Sequence, residues 1–244
     1  MNCIRSVFIA LLFTVASRGL GAVIAVPNGS FEEVDVAEGS FSAPASWTVV
    51  YSNGATGGVV DSTDDFFPGT AGNNAALPEP AHGGQFYAAS STTTTRSIVT
   101  LTSAPFGTIA PNTVYTVTIA FGDALTGVLS SYATTRHAPT TITLSSIDGG
   151  GSATLATGTF GSNQYPATPS GTFTDYSFTY TSGDATDPNV GRQFSLSLRA
   201  SPGRGSELHV DNIRMDDGTV PEPGSAMLAA IGFGLLCRRR RRAC

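Results

Sequence analysis

The chain has no lysine, and its few cysteines all lie near its two ends. Cys3, Cys237 and Cys244 leave residues 26–218, here called the body, without a thiol. A disulfide framework and a cysteine-ligated metal site are therefore excluded from the body. The fold must be stabilised by its hydrophobic core, for which about 190 residues are sufficient.

The body also has little positive charge. It contains 17 of the 18 acidic residues and only 6 of the 13 arginines, so its net charge is near −11, whereas the whole chain carries −5. An acidic body without a basic stripe argues against nucleic acid as a partner. It is compatible with neutral sugars or cations as ligands.

The first 25 residues have the pattern of a secretory signal. Arg5 precedes an apolar stretch at 7–16, and small residues follow around Gly21, Ala22 and Ala25. A basic start, an apolar middle and a small-residue end are the three parts of a cleavable signal peptide. We therefore predict a signal peptide at 1–25 and export, with cleavage after Ala22 or after Ala25.

The C-terminal segment, residues 219–244, contains an apolar run at 224–237 that stops at five arginines. A helix over this run would be about 21 Å long, which is short of the roughly 30 Å hydrocarbon core of a bilayer. The arginines would keep the chain end on the cytoplasmic side. A short C-terminal apolar helix that is recognised and then removed is expected here, with an ordinary short membrane anchor as the alternative.

The order of the elements in this segment resembles the PEP-CTERM sorting signal of Gram-negative bacteria. The resemblance implies export, transient anchoring in the inner membrane, processing by an exosortase-type protease, and a place at the cell surface or in the extracellular matrix, often with exopolysaccharide. The residues that carry it are Val220, Pro221, Glu222, Pro223, Arg238, Arg239, Arg240, Arg241 and Arg242.

The body shows short alternating runs separated by Gly, Pro, Asn and Asp, and no sustained helical period. A single antiparallel β-sandwich of jelly-roll type is therefore predicted for 26–218, with a loop-rich stretch at 53–84. Trp47 heads an apolar run and is expected in the core. The predicted strands are 47–52, 85–90, 96–102, 113–121, 140–146, 173–181, 192–199 and 207–215.

Short motifs at 28–32, 82–87, 111–115 and 210–213, with Trp47 between the first two, resemble the galactose-binding-like jelly rolls, which include carbohydrate-binding modules. The resemblance implies a structural Ca²⁺ that ties the N-terminal segment to the last strand. Glu32 and Asp211 match the acidic positions of the two terminal motifs, and carboxylate oxygens are the ligands that Ca²⁺ prefers.

Sugar binding needs an aromatic ring face and a few polar groups beside it. Tyr51, Tyr132 and Tyr165 lie in or beside polar loops and are the candidates for this contact.

Catalytic motifs are missing from the sequence. His82, His137 and His209 are scattered without the spacing of a metal-binding HExxH motif, and there is no GxSxG nucleophile motif. The sequence therefore predicts a non-catalytic cell-surface or matrix protein with polysaccharide as the expected ligand. A purely structural matrix component and a secreted glycan-active enzyme are the alternatives.

Overall fold

The computed structural model of the protein describes residues 22–36, 40–61, 83–91, 97–123, 136–161, 172–203 and 206–219. These residues form twelve β-strands and no helix. In chain order the strands are β1 (Val23–Ile24), β2 (Trp47–Ser52), β3 (Ala55–Asp61), β4 (Gln85–Ser91), β5 (Ile98–Ser103), β6 (Thr113–Asp123), β7 (Arg136–His137), β8 (Thr140–Asp148), β9 (Gly151–Phe160), β10 (Thr172–Thr181), β11 (Gln193–Ala200) and β12 (Ser206–Thr219).

The strands form two sheets that pack face to face. Sheet A has the order β10-β6-β12-β4-β3, and the short strands β1 and β7 also pair with β12. Sheet B has the order β2-β5-β11-β8-β9. The pairing of β7 with β12 is parallel, and the other pairings of the described strands are antiparallel. The predicted antiparallel β-sandwich is confirmed, whereas the predicted C-terminal helix lies outside the described residues.

Alternating apolar side chains build the core between the sheets. Trp47 also belongs to this core, as predicted, and its indole N–H donates to the Pro27 carbonyl at 3.0 Å. Alternate apolar side chains of β6 and β11 are at most 3% exposed: Tyr115, Val117, Ile119, Phe121, Phe194, Leu196, Leu198 and Ala200.

Four of the twelve described strands were not predicted: the two-residue strands β1 and β7, and the longer strands β3 and β9. β3 lies within the stretch that was predicted to be loop-rich. It was not recognised as a strand because Gly57 and Gly58 interrupt the alternation of apolar and polar side chains. A Cβ on Gly57 would lie 2.3 Å from the Ala88 carbonyl oxygen, so the glycine permits close packing of β3 on β4. β9 was not predicted either, because it is an edge strand of Thr, Ala and Gly with few buried side chains.

Strand β12 carries a β-bulge between Asp211 and Arg214. Asn212 within it has a left-handed backbone, with φ of 47°, which asparagine tolerates better than most residues. Asp211 pairs with Ala120 and Arg214 with Thr118, so both side chains lie on one face although they are three residues apart. Without the bulge they would lie on opposite faces of the sheet.

The N-terminal segment is held against this bulge. The Ile213 N–H donates to the Gly29 carbonyl at 2.8 Å, and a Cβ on Gly29 would lie 2.1 Å from the Ile213 carbonyl oxygen. Phe31, which is fully buried, places its ring 6.0 Å from that of Trp47 and 5.9 Å from that of Tyr87. Because a Cβ at position 29 would overlap the Ile213 carbonyl, only glycine fits where this segment contacts β12.

The contact predicts that Gly29→Ala lowers the free energy of unfolding by about 1–3 kcal/mol, because the added methyl group would overlap backbone atoms of β12. Urea unfolding monitored by tryptophan fluorescence measures the effect. Gly84→Ala is the matched control, since a Cβ there meets no atom within 4 Å. Equal stability of the two variants would contradict the proposed close approach.

Candidate functional site

Strand β12 separates apolar from titratable side chains by simple alternation. Leu208 and Val210 enter the core between the sheets. Glu207, His209 and Asp211 lie on the opposite, outer face of sheet A, yet they are only 7%, 3% and 0% exposed. Carboxylates and imidazoles are rarely buried so completely unless they are paired or functional.

Apolar side chains surround this row. His209 pairs across the sheet with Ala88 of β4, and the Phe86 ring meets the His209 ring edge to face, with centroids 5.7 Å apart. Phe86, Ala88 and Val60 form a second hydrophobic cluster, with Phe173 packed against it. The outer face of sheet A thus has its own small apolar core around His209.

Glu207 and His209 contact each other directly. The His209 Nε2 lies 3.2 Å from Glu207 Oε2. A carboxylate at this distance favours a proton on Nε2, and the Nδ1 of the neutral ring is then a proton acceptor. In this pair His209 is the group that can act as a base, and the Glu207 carboxylate orients its ring.

His137 lies beside this pair. Strand β7 pairs with the start of β12 so that His137 is opposite Glu207. The His137 Nε2 is buried and has no hydrogen-bond partner among the described residues. Burial, and secondly the neighbouring His209, lowers the pKa of His137 to about 4, so this imidazole is neutral at pH 7.

A pocket of about 110 Å³ opens at the Glu207–His209 pair. The polar side chains of its lining are two hydroxyls and the pair itself, so the space suits a small ring that is mostly apolar. Its side-chain lining includes Phe41, Thr56, Ala88, Ser90, Glu207 and His209.

Tyr51, one of the three tyrosines predicted to bind sugar, does not line this pocket. Tyr51 lies on β2, is 38% exposed, and its hydroxyl donates to the Gly57 carbonyl at 2.7 Å. The Tyr51 hydroxyl oxygen also lies 3.0 Å from the Tyr87 hydroxyl oxygen, and burial raises the pKa of Tyr51. Tyr132 and Tyr165 lie outside the described residues, so their role stays a prediction.

The two carboxylates predicted to bind Ca²⁺ both accept backbone hydrogen bonds. Glu32 Oε1 accepts from the Gln85 N–H at 2.7 Å, and Asp211 Oδ1 accepts from the Asn212 N–H at 2.6 Å. No group of three or more His, Cys, Asp or Glu side chains suited to a metal ion occurs in the described part of the chain. A calcium ion held by Glu32, Asp211 and backbone carbonyls therefore stays a prediction.

The sequence of the body matches a known family. The profile of the HpiC1-like family, described as HpiC1 cyclase, matches residues 22–216, which is most of the chain. The chain belongs to the HpiC1-like cyclase family. The prediction of a non-catalytic protein is therefore wrong, because this is a family of cyclases. The prediction relied on the absence of the HExxH and GxSxG motifs from the sequence. No protein of curated function matches the chain in sequence.

Solved structures of cyclases share its fold. The Stig cyclase FisC from Fischerella sp. TAU, in complex with (3Z)-3-(1-methyl-2-pyrrolidinylidene)-3H-indole, is 17% identical, with a TM-score of 0.61 over 82% of this chain and 100% of FisC. A Fischerella sp. TAU cyclase in complex with 4-(1H-indol-3-yl)butan-2-one is also 17% identical, with a TM-score of 0.58 over 82% of this chain and 99% of that chain.

Carbohydrate-binding modules are among the similar structures as well. One of them, TmCBM61 in complex with β-1,4-galactotriose, is 13% identical and covers 80% of this chain and 98% of its own, but its TM-score is only 0.43. A likeness this distant carries no argument about the ligand.

The C-terminal segment matches the PEP-CTERM protein-sorting motif at residues 219–242, which confirms the resemblance read from the sequence. The motif implies export, processing by exosortase and a location at the cell surface. No helix among residues 22–36, 40–61, 83–91, 97–123, 136–161, 172–203 and 206–219 is long and apolar enough to cross a membrane. The apolar run itself lies outside these ranges.

The sequence analysis missed the site because it treated the histidines as scattered. The signal was present in the last strand, where Glu207, His209 and Asp211 occupy alternate positions between apolar residues. Period-two alternation of titratable residues places them on one sheet face. The approach of His137 depends on the parallel pairing of β7, which no local pattern indicated.

The neutral state of His137 predicts a difference in acid stability. The unfolded imidazole has a pKa near 6.5, above its folded value, so between pH 6.5 and pH 4 the unfolded chain binds more protons. The free energy of unfolding therefore falls as the pH falls through this range, by on the order of 2 to 3 kcal/mol from His137. His137→Gln should remove that share of the loss, measured by urea unfolding at several pH values. Parallel pH profiles for the two proteins would show that His137 is not buried in its neutral form.

Proposed function

We propose that the protein is an exported enzyme that transfers protons to and from a small, mostly apolar ring substrate on the outer face of sheet A. The observation that carries this proposal is the 3.2 Å contact between Glu207 and His209 in the wall of an apolar pocket. Membership of a cyclase family and the sorting motif support the enzymatic and the exported parts, respectively.

The chemistry that the pair can support is general acid–base catalysis. A cyclisation that only rearranges bonds needs a proton delivered to one atom of the substrate and a proton removed from another, with no net change in composition. The imidazolium of His209 can donate the first proton and the neutral ring can accept the second. Glu207 stabilises the imidazolium that is present before the first transfer and is formed again in the second, and the apolar surroundings strengthen that interaction.

The substrate class follows from the lining of the pocket. Phe41 and Ala88 offer apolar contacts, while Thr56 and Ser90 offer hydroxyls that could orient a single polar atom. Indole compounds occupy the two Fischerella cyclases described above. A compact indole bearing a ketone is therefore a suitable probe for this site.

Proton transfer can be measured without knowing the natural substrate. In D₂O the protein should accelerate exchange of carbon-bound hydrogens of 4-(1H-indol-3-yl)butan-2-one for deuterium, followed by NMR. His209→Asn and Glu207→Gln should slow this exchange about 100-fold or more. Ala88→Leu, which fills the pocket, should also slow it, whereas the exposed Ala104→Leu should not. Equal rates for His209→Asn and the wild-type protein would refute the proposed role of the pair.

A second role, contact with exopolysaccharide at the cell surface, would involve Tyr51. The observation in its favour is that Tyr51, on the edge strand β2, is 38% exposed. Ring faces of this kind can cover the apolar side of a sugar. Transient anchoring in the inner membrane before the tail is processed belongs to the same proposal.

Saturable binding to exopolysaccharide should weaken at least several-fold in Tyr51→Ala, because the ring face is lost. Affinity electrophoresis in gels containing the polysaccharide measures this binding. Val34→Ala, another exposed apolar position, is the control for a general loss of surface hydrophobicity. Binding that falls equally in both variants would argue against a specific tyrosine contact.

A further inference from the structure

The first described residues are part of the folded sandwich. Val23 and Ile24 form β1, which pairs with Asp216 and Met215 of β12. Ile24 packs against the hydrophobic core, and a Cβ on Gly107 would lie 2.9 Å from its Cγ2. Residues that the sequence pattern assigned to the signal peptide therefore complete sheet A.

The backbone N–H and the carbonyl of Ala22 both form hydrogen bonds with β12. Its N–H donates to Asp217 Oδ1 at 2.7 Å, and its carbonyl accepts from the Asp217 N–H at 2.9 Å. Ala22 is itself exposed. A carboxylate thus faces the nitrogen atom of Ala22.

We propose that the signal peptide is removed at the Gly21–Ala22 bond, so that the mature protein begins with Ala22. A signal peptidase would add water across this bond, which leaves a carboxylate on Gly21 and an ammonium group on Ala22. That ammonium would replace a neutral N–H beside Asp217 and form a charge-assisted hydrogen bond, which is stronger than a neutral one. The proposal rests on export and is independent of the enzymatic function proposed above.

The sequence around this bond suits the peptidase. Gly19 and Gly21 supply the small residues at the third and first positions before the cut. A cut after Ala25 would delete β1 together with the core contact of Ile24. A cut after Ala22 would keep β1 but remove both hydrogen bonds between Ala22 and Asp217.

N-terminal sequencing of the protein exported by a Gram-negative host tests the proposal directly. The expected sequence is Ala-Val-Ile-Ala-Val-Pro, which starts at Ala22. A start at Val23, at Val26 or at any residue before Ala22 would overturn it.

Thermal unfolding gives a second, independent test. The mature protein prepared with an Ala22 start should melt several degrees above the same protein with a Val26 start. Asp217→Asn should lower the melting temperature of the Ala22-start protein more than that of the Val26-start protein, while Asp148→Asn, which removes an ion pair with Arg192 away from β1, should affect both equally. Equal melting temperatures for the two starts, or an equal effect of Asp217→Asn on both, would show that Asp217 does not hold the mature N-terminus.

Discussion

The structure depends on a single central strand, β12, that pairs with β4, β6, β7 and β1. Its alternation sends Leu208 and Val210 into the core and buries Glu207 and His209 on the other side. Burying titratable groups costs free energy unless they are paired. The contact between Glu207 and His209 offsets part of this cost, and the same contact is the basis of the catalytic role proposed for this face.

The bulge of β12 links the site to the N-terminal segment. Asn212 turns the strand so that Asp211 stays on the outer face while Ile213 enters the core and donates to Gly29. Beyond the bulge, Arg214 lies on the same outer face as Asp211 and forms an ion pair with Asp175 of β10, where Nη1 and Oδ1 are 3.1 Å apart. The position of the buried acids therefore depends on backbone contacts made far from them in sequence.

Period-two alternation made the sandwich predictable, because strands such as β6 and β11 contrast large apolar with polar side chains. It failed at β3, where glycines remove the contrast, and at β9, where an edge strand buries little. The sorting motif was readable because it is local and ordered along the chain. The site could not be read in this way, because a parallel pairing between distant segments places His137 opposite Glu207. The family was recognised only by comparison with known proteins.

The most direct measurement is a crystal structure of the protein with 4-(1H-indol-3-yl)butan-2-one bound. The account predicts that the indole lies on the outer face of sheet A, with its ring near Ala88 and a reacting carbon or its ketone within reach of His209. A ligand found on β2 beside Tyr51, or elsewhere on sheet B, would contradict the assignment of the catalytic site to β12.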